Sequence, residues 1–323
     1  MRAIQIAGYS GPEGVRLVDV PEPDAPADGR AVRVAVMAAG VTFPEVLQTR
    51  GAYQVQPDLP FVPGGEIAGL VDRAPEGSDL RVGDRVFGYC ATGGFAERAW
   101  LPLDRAFRLP DDLSFVEGAA LFANFHTAWF ALVERGRAVA GDSVLVHGAG
   151  GGVGTACVQV ARTIGLTVIA VVSDDAKAAA AQAAGAHHVL LRGGDWRVQA
   201  QSLVPGGVDL VVDPVGGDVI ENLRVLRELG RLLIIGFAGG DIPSIPANRL
   251  LLRNLEAIGI VYGSFAAAHA GYSRIIQSKL DPLLAGGLRP IIGSTHPIAE
   301  ASLALAQVDE RRAIGKVVLD LTA

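Results

Sequence analysis

Between Asp142 and Arg162 the chain reads Asp-Ser-Val-Leu-Val-His-Gly-Ala-Gly-Gly-Gly-Val-Gly-Thr-Ala-Cys-Val-Gln-Val-Ala-Arg. Val144 to Val146 is a short apolar run, which predicts a buried strand. Val153, Ala156, Val160 and Ala161 then fall close to helical spacing. A strand, a glycine turn and a helix in that order form the context in which a dinucleotide fingerprint acquires meaning. The best register is Ala149-x-Gly151-x-x-Gly154, with alanine in the first glycine slot. A register from Gly148 and Gly150 ends on Val153 and fits less well. The chemistry asks for a sharp turn, bare backbone for a pyrophosphate, and a small residue where helix meets sheet. Amides at the helix start supply the field that an anion needs. Ala149, Gly151, Gly152, Val153 and Gly154 are therefore the candidate pyrophosphate contacts. An ordinary tight connection between strand and helix is the structural alternative.

The next strand ends Val171-Val-Ser-Asp-Asp-Ala-Lys177. A chain built for NAD usually places a carboxylate at this strand end to take the ribose hydroxyls. Here the first polar residue is Ser173, and Lys177 follows on the next helix. A hydroxyl with an ammonium suits a 2′-phosphate better than a bare ribose, so NADPH is the expected cofactor. A helix cap at Ser173 and a solvated charge at Lys177 are the alternatives, with Asp174 and Asp175 close beside them.

These residues need a scaffold, and the composition bounds it. The chain has 323 residues, half of them hydrophobic, with 41 glycines and 18 prolines. That length supports about two domains with ample core. The formal net charge of −6, without a basic block, argues against a nucleic-acid partner. The two cysteines, Cys90 and Cys157, form no CxxC pair, so neither a disulfide scaffold nor a four-thiolate zinc site is expected. The start, Met-Arg-Ala-Ile-Gln-Ile, lacks a signal pattern, and no apolar run is long enough to span a bilayer. A cytoplasmic protein without a membrane partner is the expectation. Residues 1 to about 110 read as β-rich, with strands at 3–6, 15–20, 31–36, 67–71 and 84–88. Ser114-x-x-Glu117 has capping-box spacing and opens a helix, and a second helix is predicted from Thr127 to Arg135. From Ser143 to Gly236 strands and helices alternate, which predicts a doubly wound parallel sheet. A long helix over 265–285, a strand at 290–294, a short helix at 299–305 and a strand at 316–319 complete the reading.

Six stretches carry a family resemblance: Leu59-Pro-Phe-Val-Pro-Gly-Gly-Glu-Ile-Ala-Gly69, Gly93-Gly-Phe-Ala-Glu97, His147 to Gly154, Val208-Asp-Leu-Val-Val-Asp-Pro-Val-Gly-Gly217, Gly230 to Gly240 and Ile245 to Leu252. In that order they resemble the zinc-independent quinone oxidoreductases of the medium-chain dehydrogenase/reductase superfamily. The resemblance implies an α/β fold: a Rossmann dinucleotide-binding domain over 119–261, and a β-rich, GroES-like catalytic domain over 1–118 and 262–323. It also implies a cofactor in the cleft between the two, and a homodimer joined at the edges of the cofactor sheets.

Zinc members of the superfamily carry a cysteine and a Gly-His-Glu motif. The corresponding places here resemble Gly40-Val-Thr42 and Gly64-Gly65-Glu66, so Thr42 and Gly65 stand where a thiolate and an imidazole would be. No metal site is expected. Hydride transfer without a Lewis acid requires an acceptor that is already electrophilic, such as a quinone or a conjugated enone. The resemblance places Tyr53, Thr42 and Thr127 near the reacting groups, and Asn124, Arg192 and Phe237 along the cofactor. The alternatives are a partly buried aromatic at Tyr53, a helix N-cap at Thr127, a turn former at Asn124 and a solvated charge at Arg192. Thr42 and Glu45 depart from the asparagine and aspartate common in relatives, and His126 fills a slot that is commonly small. The expected activity is NADPH-dependent reduction of a quinone or activated alkene. An enoyl reductase acting on an α,β-unsaturated thioester, and a non-catalytic NADPH-binding protein, are the alternatives.

Overall fold

In the computed structural model, which describes residues 1–323, the chain divides into two compact units. The first unit comprises Met1–Ala123 and Ile292–Ala323, and the second Asn124–Ile291.

The first unit begins with a hairpin of β1 (Arg2–Gln5) and β2 (Arg16–Asp19). Next come β3 (Ala31–Val41), α1 (Phe43–Thr49), β4 (Glu66–Arg73), β5 (Arg85–Tyr89), β6 (Arg98–Pro102), β7 (Ala106–Arg108) and the short α2 (Phe115–Gly118). The chain returns later as β14 (Ile292–Pro297), α11 (Ala301–Asp309) and β15 (Lys316–Asp320). One sheet runs β14-β15-β3-β4-β5-β7, and β6 pairs with β3. Its long strand β3 alternates buried and half-buried residues over its first half, as a sheet with one solvated face requires. Ile67, Val86, Phe95, Leu101, Val317 and Leu319 fill the core beneath it.

The second unit opens on α3 (Phe122–Trp129), whose first two residues belong to the first unit and which continues as a wide π-turn over Phe130–Arg135. It then alternates β8 (Ser143–His147), α4 (Gly152–Thr163), β9 (Thr167–Val172), α5 (Asp175–Ala183), β10 (His188–Leu191), α6 (Trp196–Leu203), β11 (Val208–Asp213), α7 (Val219–Val225) and β12 (Leu226–Ile234). It ends with α8 (Ala247–Leu251), β13 (Glu256–Gly259), α9 (Tyr262–Ala268) and α10 (Tyr272–Ala285). The six strands lie in the order β10-β9-β8-β11-β12-β13, all parallel, so the chain turns outward on either side of β8 and β11. Every residue of β8 and β11 is buried, because helices cover both faces of a doubly wound sheet. This is the α/β architecture expected from the alternation.

Several details differ from the sequence reading. The return to the first unit comes at Ile292, not at 262, because α9 and α10 are bonded into the second unit through His126. The long helix expected over 265–285 is two helices, broken at Gly271, which has φ 80°. Helix α7 stops at Val225, where Leu226 pairs with Val208 in the sheet. No helix is long and apolar enough to cross a membrane.

Candidate functional site

In the second unit, β8 delivers the chain to Gly148, which takes φ 57°, a conformation that glycine enters without a Cβ penalty. A Cβ at Gly154 would lie 2.1 Å from the carbonyl oxygen of Gly148 and 2.7 Å from the Cα of Ala149. The helix therefore meets the turn in direct backbone contact. A Cβ at Gly150 would lie 2.4 Å from the Cβ of Lys177, so the lysine stem rests on the glycine loop. Gly148 and Gly150, which the spacing argument ranked lower, thus carry strict demands as Gly154 does, whereas a Cβ at Gly151 would meet only the Gly148 carbonyl oxygen at 3.5 Å, an ordinary contact. Ala149 is buried, and its amide donates to Val171. Amides in the first turn of α4 have no intrahelical acceptor, and Gly151, Gly152 and Val153 lie at its start. The bare cradle, with that helix start behind it, fits the pyrophosphate of a dinucleotide.

The other candidate cofactor residues fall around this turn. Asn124 is buried in α3 and is no turn former, and its Nδ2 lies 2.8 Å from the position a Cβ on Gly152 would take. Thr127 lies inside α3, so it is not a helix cap. Ser173 follows β9, and its hydroxyl donates to Asp174 at 2.7 Å, while Asp174 rather than Ser173 caps α5. Lys177 Nζ donates to Ser173 Oγ at 3.0 Å. Arg192 follows β10, and its backbone amide donates to Val172 at 2.8 Å. Phe237 lies in the loop after β12, with its ring 3.1 Å from the Cβ position of Gly216.

Three buried residues that sequence reasoning missed brace these loops. His147 Nε2 donates to Asn222 Oδ1 at 2.7 Å, and Asn222 Nδ2 donates to Asp213 Oδ2 at 2.9 Å. The other oxygen of Asp213 accepts the amides of Val215 and Gly216 at 2.9 and 2.8 Å. The strut joins the strand that ends in the glycine turn to the loop after β11. Its members are up to 75 residues apart, so no local motif announces it.

His126 is buried, with Nδ1 2.7 Å from the Tyr262 hydroxyl and Nε2 2.8 Å from Gln277 Oε1. Gln277 Nε2 donates to Asp281, which orients the amide and makes His126 Nε2 the donor. Burial pushes its pKa down to about 4. It is a neutral tie between α3, α9 and α10, not a proton donor at neutral pH.

In the first unit, Thr42 and Glu45 form a capping box on α1. Glu45 Oε2 accepts the Thr42 amide at 2.8 Å and also the Thr42 hydroxyl. Its other oxygen accepts the Gly65 amide at 3.1 Å. The buried carboxyl thus bridges Thr42 and Gly65, the two positions that the resemblance sets against zinc ligands. Burial raises its pKa, opposed by the Thr42 hydrogen bond and the nearby Lys316 charge. Because its hydroxyl is spent on Glu45, Thr42 does not offer an outward donor. A Cβ at Gly65 would lie 2.5 Å from the Tyr89 ring, so the ring fills the space of a side chain there. The Tyr89 ring itself stacks on Phe122 at 5.4 Å. No group of three or more His, Cys, Asp or Glu side chains is arranged to hold a metal ion. The residues present do not fit a zinc ion.

Beside this cluster Lys316 Nζ lies 2.5 Å from Glu66 Oε2, with side-chain exposures of 2% and 0%. Glu66 Oε1 accepts the Ala123 amide at 2.9 Å. The partners are 250 residues apart, and nothing local in the sequence pairs them. Tyr53 is half-buried, and burial raises its pKa, with the Glu45 charge adding to the effect. Its phenol is a donor throughout the neutral range. Burial pushes the Cys90 thiol up to about 12, which makes it unreactive.

Comparison with known proteins agrees with this geometry. Residues 28–111 match the alcohol dehydrogenase GroES-like domain, and residues 152–278 match the family described as zinc-binding dehydrogenase. Positions 42 and 65 lie outside the second of these. Over 302 residues the chain is 36% identical to quinone oxidoreductase-like protein 2 of Bos taurus, covering 92% of this chain and 86% of that protein. A solved probable oxidoreductase from Mycobacterium abscessus superposes with a TM-score of 0.90 at 40% identity, over 99% of this chain and 98% of the other. The quinone oxidoreductase of Thermus thermophilus, solved alone and with NADPH, gives 0.85 at 35% identity over 99% and 100%. The chain belongs to the quinone oxidoreductase family of the medium-chain dehydrogenase/reductase superfamily.

Proposed function

We propose that this protein reduces a quinone or an activated alkene with NADPH, by direct hydride transfer and without zinc. One observation carries the reading. The glycine cradle is intact, while Thr42 and Gly65, the positions that the resemblance sets against zinc ligands, are bridged by the Glu45 carboxyl, and the Tyr89 ring fills the side-chain space at Gly65. A dinucleotide-binding chain that offers no Lewis acid suits acceptors that need no further polarisation.

When bound, NADPH would supply the hydride, and the acceptor would leave with that hydride and one proton drawn from solvent water. The rest of the work falls to the chain. The loops at Gly148–Gly154 and Val215–Gly216, braced by His147, Asn222 and Asp213, hold the dinucleotide. Ser173, Lys177 and Arg192 face its 2′-phosphate. Tyr53 donates a hydrogen bond to the acceptor oxygen, where negative charge grows as the hydride arrives. Thr127 and Asn124, on the buried helix α3, position the nicotinamide end.

We also propose a homodimer. β13 is the outer strand of the parallel sheet, and beside it Leu251 and Leu252 are 77% and 73% exposed. A second copy pairing along β13 would cover both the open strand edge and these side chains. The net charge of −6 argues against a nucleic-acid partner, and a cytoplasmic enzyme of small molecules is proposed.

The test is steady-state consumption of NADPH at 340 nm with EDTA present, against quinones, enones and unsaturated thioesters, with NADH as the control. Oxidation that EDTA leaves untouched is expected, and the panel ranks the acceptor classes. Tight NADPH binding with background turnover across the panel would overturn the catalytic reading.

A further inference from the structure

At the C-terminal ends of β9 and β10, the groups that would meet a 2′-phosphate are already engaged by carboxylates. Lys177 Nζ lies 3.0 Å from Ser173 Oγ and 3.6 Å from Asp174 Oδ2. The Ser173 hydroxyl donates to Asp174 Oδ2 at 2.7 Å. The other oxygen of Asp174 accepts the Lys177 amide at 3.0 Å and caps α5. Arg192 is held in the same way, with Nε 3.0 Å and Nη2 2.9 Å from Asp218 Oδ2. Two cations therefore face two carboxylates, and Asp175 adds a further negative charge. The Lys177 stem has little freedom to leave, because it packs on Gly150.

We propose that Asp174 is a specificity-determining residue that compresses this protein's preference for phosphorylated over non-phosphorylated dinucleotides. Its carboxylate occupies the Ser173 hydroxyl and the Lys177 ammonium, the two groups that a 2′-phosphate must recruit. This rests on the dinucleotide reading given above. A phosphate entering here must displace Asp174 or lie against a like charge, both of which cost affinity. A bare ribose meets no such obstacle, since its hydroxyls donate to a carboxylate. The Lys177 amide and the Ser173 hydroxyl hold the Asp174 carboxyl below the usual carboxylate range, so it is ionised at neutral pH. The Asp174 side chain is 49% exposed, which keeps the effect moderate.

The capping and the charge of Asp174 can be separated, because asparagine and serine cap helices about as well as aspartate. The experiment measures dissociation constants of NADPH, NADH, 2′,5′-ADP and 5′-AMP by titration calorimetry. The proteins are wild type, Asp174→Asn, Asp174→Ser and the comparator Asp175→Asn. Both Asp174 variants are expected to tighten NADPH and 2′,5′-ADP by about three- to fivefold, the upper scale of an exposed charge interaction. NADH and 5′-AMP are expected to bind unchanged or more weakly. Asp175→Asn is expected to leave the NADPH to NADH ratio within about twofold, because the same charge is lost away from Ser173 and Lys177. An unchanged ratio in both Asp174 variants, with both dinucleotides still bound, overturns this proposal alone. So does an equal rise in Asp175→Asn, which would show only a general field. Wild-type protein that binds neither dinucleotide overturns the functional reading and this proposal together.

Discussion

Replacing Gly154 by alanine tests how closely the cofactor loop and helix α4 are joined. The added methyl would sit 2.1 Å from the Gly148 carbonyl oxygen and 2.7 Å from the Cα of Ala149. Both neighbours are backbone, and both lie in the turn proposed to cradle the pyrophosphate. Ordinary carbon–oxygen contact needs about 1 Å more, so the helix start must move away from the turn by that amount. Overpacking of this kind costs about 1–3 kcal/mol. The same displacement at the cradle corresponds to about a hundredfold loss in rate where positioning controls catalysis. The assay is NADPH titration by fluorescence, with thermal unfolding and quinone-dependent turnover on the same preparations. Gly263→Ala in α9 is the control, since a Cβ there meets nothing within 4 Å. It is expected to leave binding unchanged and to stabilise the protein by about 0.5–1 kcal/mol through helix propensity. Gly154→Ala is expected to weaken NADPH binding at least tenfold, beyond any loss of folded protein. Binding within twofold of wild type would refute the argument that backbone contact at this glycine sets the cradle.

Other perturbations have equally definite signs. Lys316→Met leaves the Glu66 carboxyl buried without its cation, and is expected to cost about 3–5 kcal/mol. Adding Glu66→Gln is expected to restore part of that loss, and a double-mutant cycle by chemical denaturation with no coupling would contradict the buried pair. On the role proposed for Tyr53, Tyr53→Phe removes one hydrogen bond to a charged oxygen, worth about 1.5–3 kcal/mol, so kcat is expected to fall about 10- to 150-fold with little change in KM. A fall confined to KM would place Tyr53 in ground-state binding. His126 is neutral in the native state with its pKa pushed down to about 4, against 6.5 when exposed. The unfolded chain therefore takes up a proton between pH 6.5 and 4 that the native protein refuses, and stability falls as pH drops through that window. The full loss is about 3 kcal/mol, absent above pH 6.5, and denaturant midpoints of wild type and His126→Gln should converge on acidification.

Where chemistry depends on adjacent residues, the sequence was readable. Strand β8, the glycine turn and α4 follow one another within 21 residues from Ser143 to Thr163, and each has its own local pattern. The capping box at Ser114 and Glu117 was legible for the same reason. The identical spacing at Thr42 and Glu45 went unread as a helix start, because those residues were weighed as replacements for site residues. Helix α6, polar apart from Trp196, Val198, Ala200 and Leu203, has too weak a pattern to stand out, and it is anchored by Trp196 in the core. Tertiary contacts decided the rest. Leu226 joins the sheet because it pairs with Val208 of β11, whatever its helical preference. Residues 262–291 stay with the second unit because Tyr262 and Gln277 bind His126 from more than 130 residues away. The Glu66–Lys316 pair and the His147–Asn222–Asp213 strut are likewise products of the fold, and each needs the whole topology before its members meet.

The central claim is hydride transfer from NADPH to an electrophilic acceptor with no metal taking part. The most direct measurement is a single-turnover reaction of metal-stripped protein with NADPH deuterated at the transferred position, followed at 340 nm against a quinone and an enone. The account predicts full activity in protein whose metal content is far below stoichiometric, and a primary isotope effect on the absorbance change. Activity that disappears on stripping and returns with zinc would contradict it.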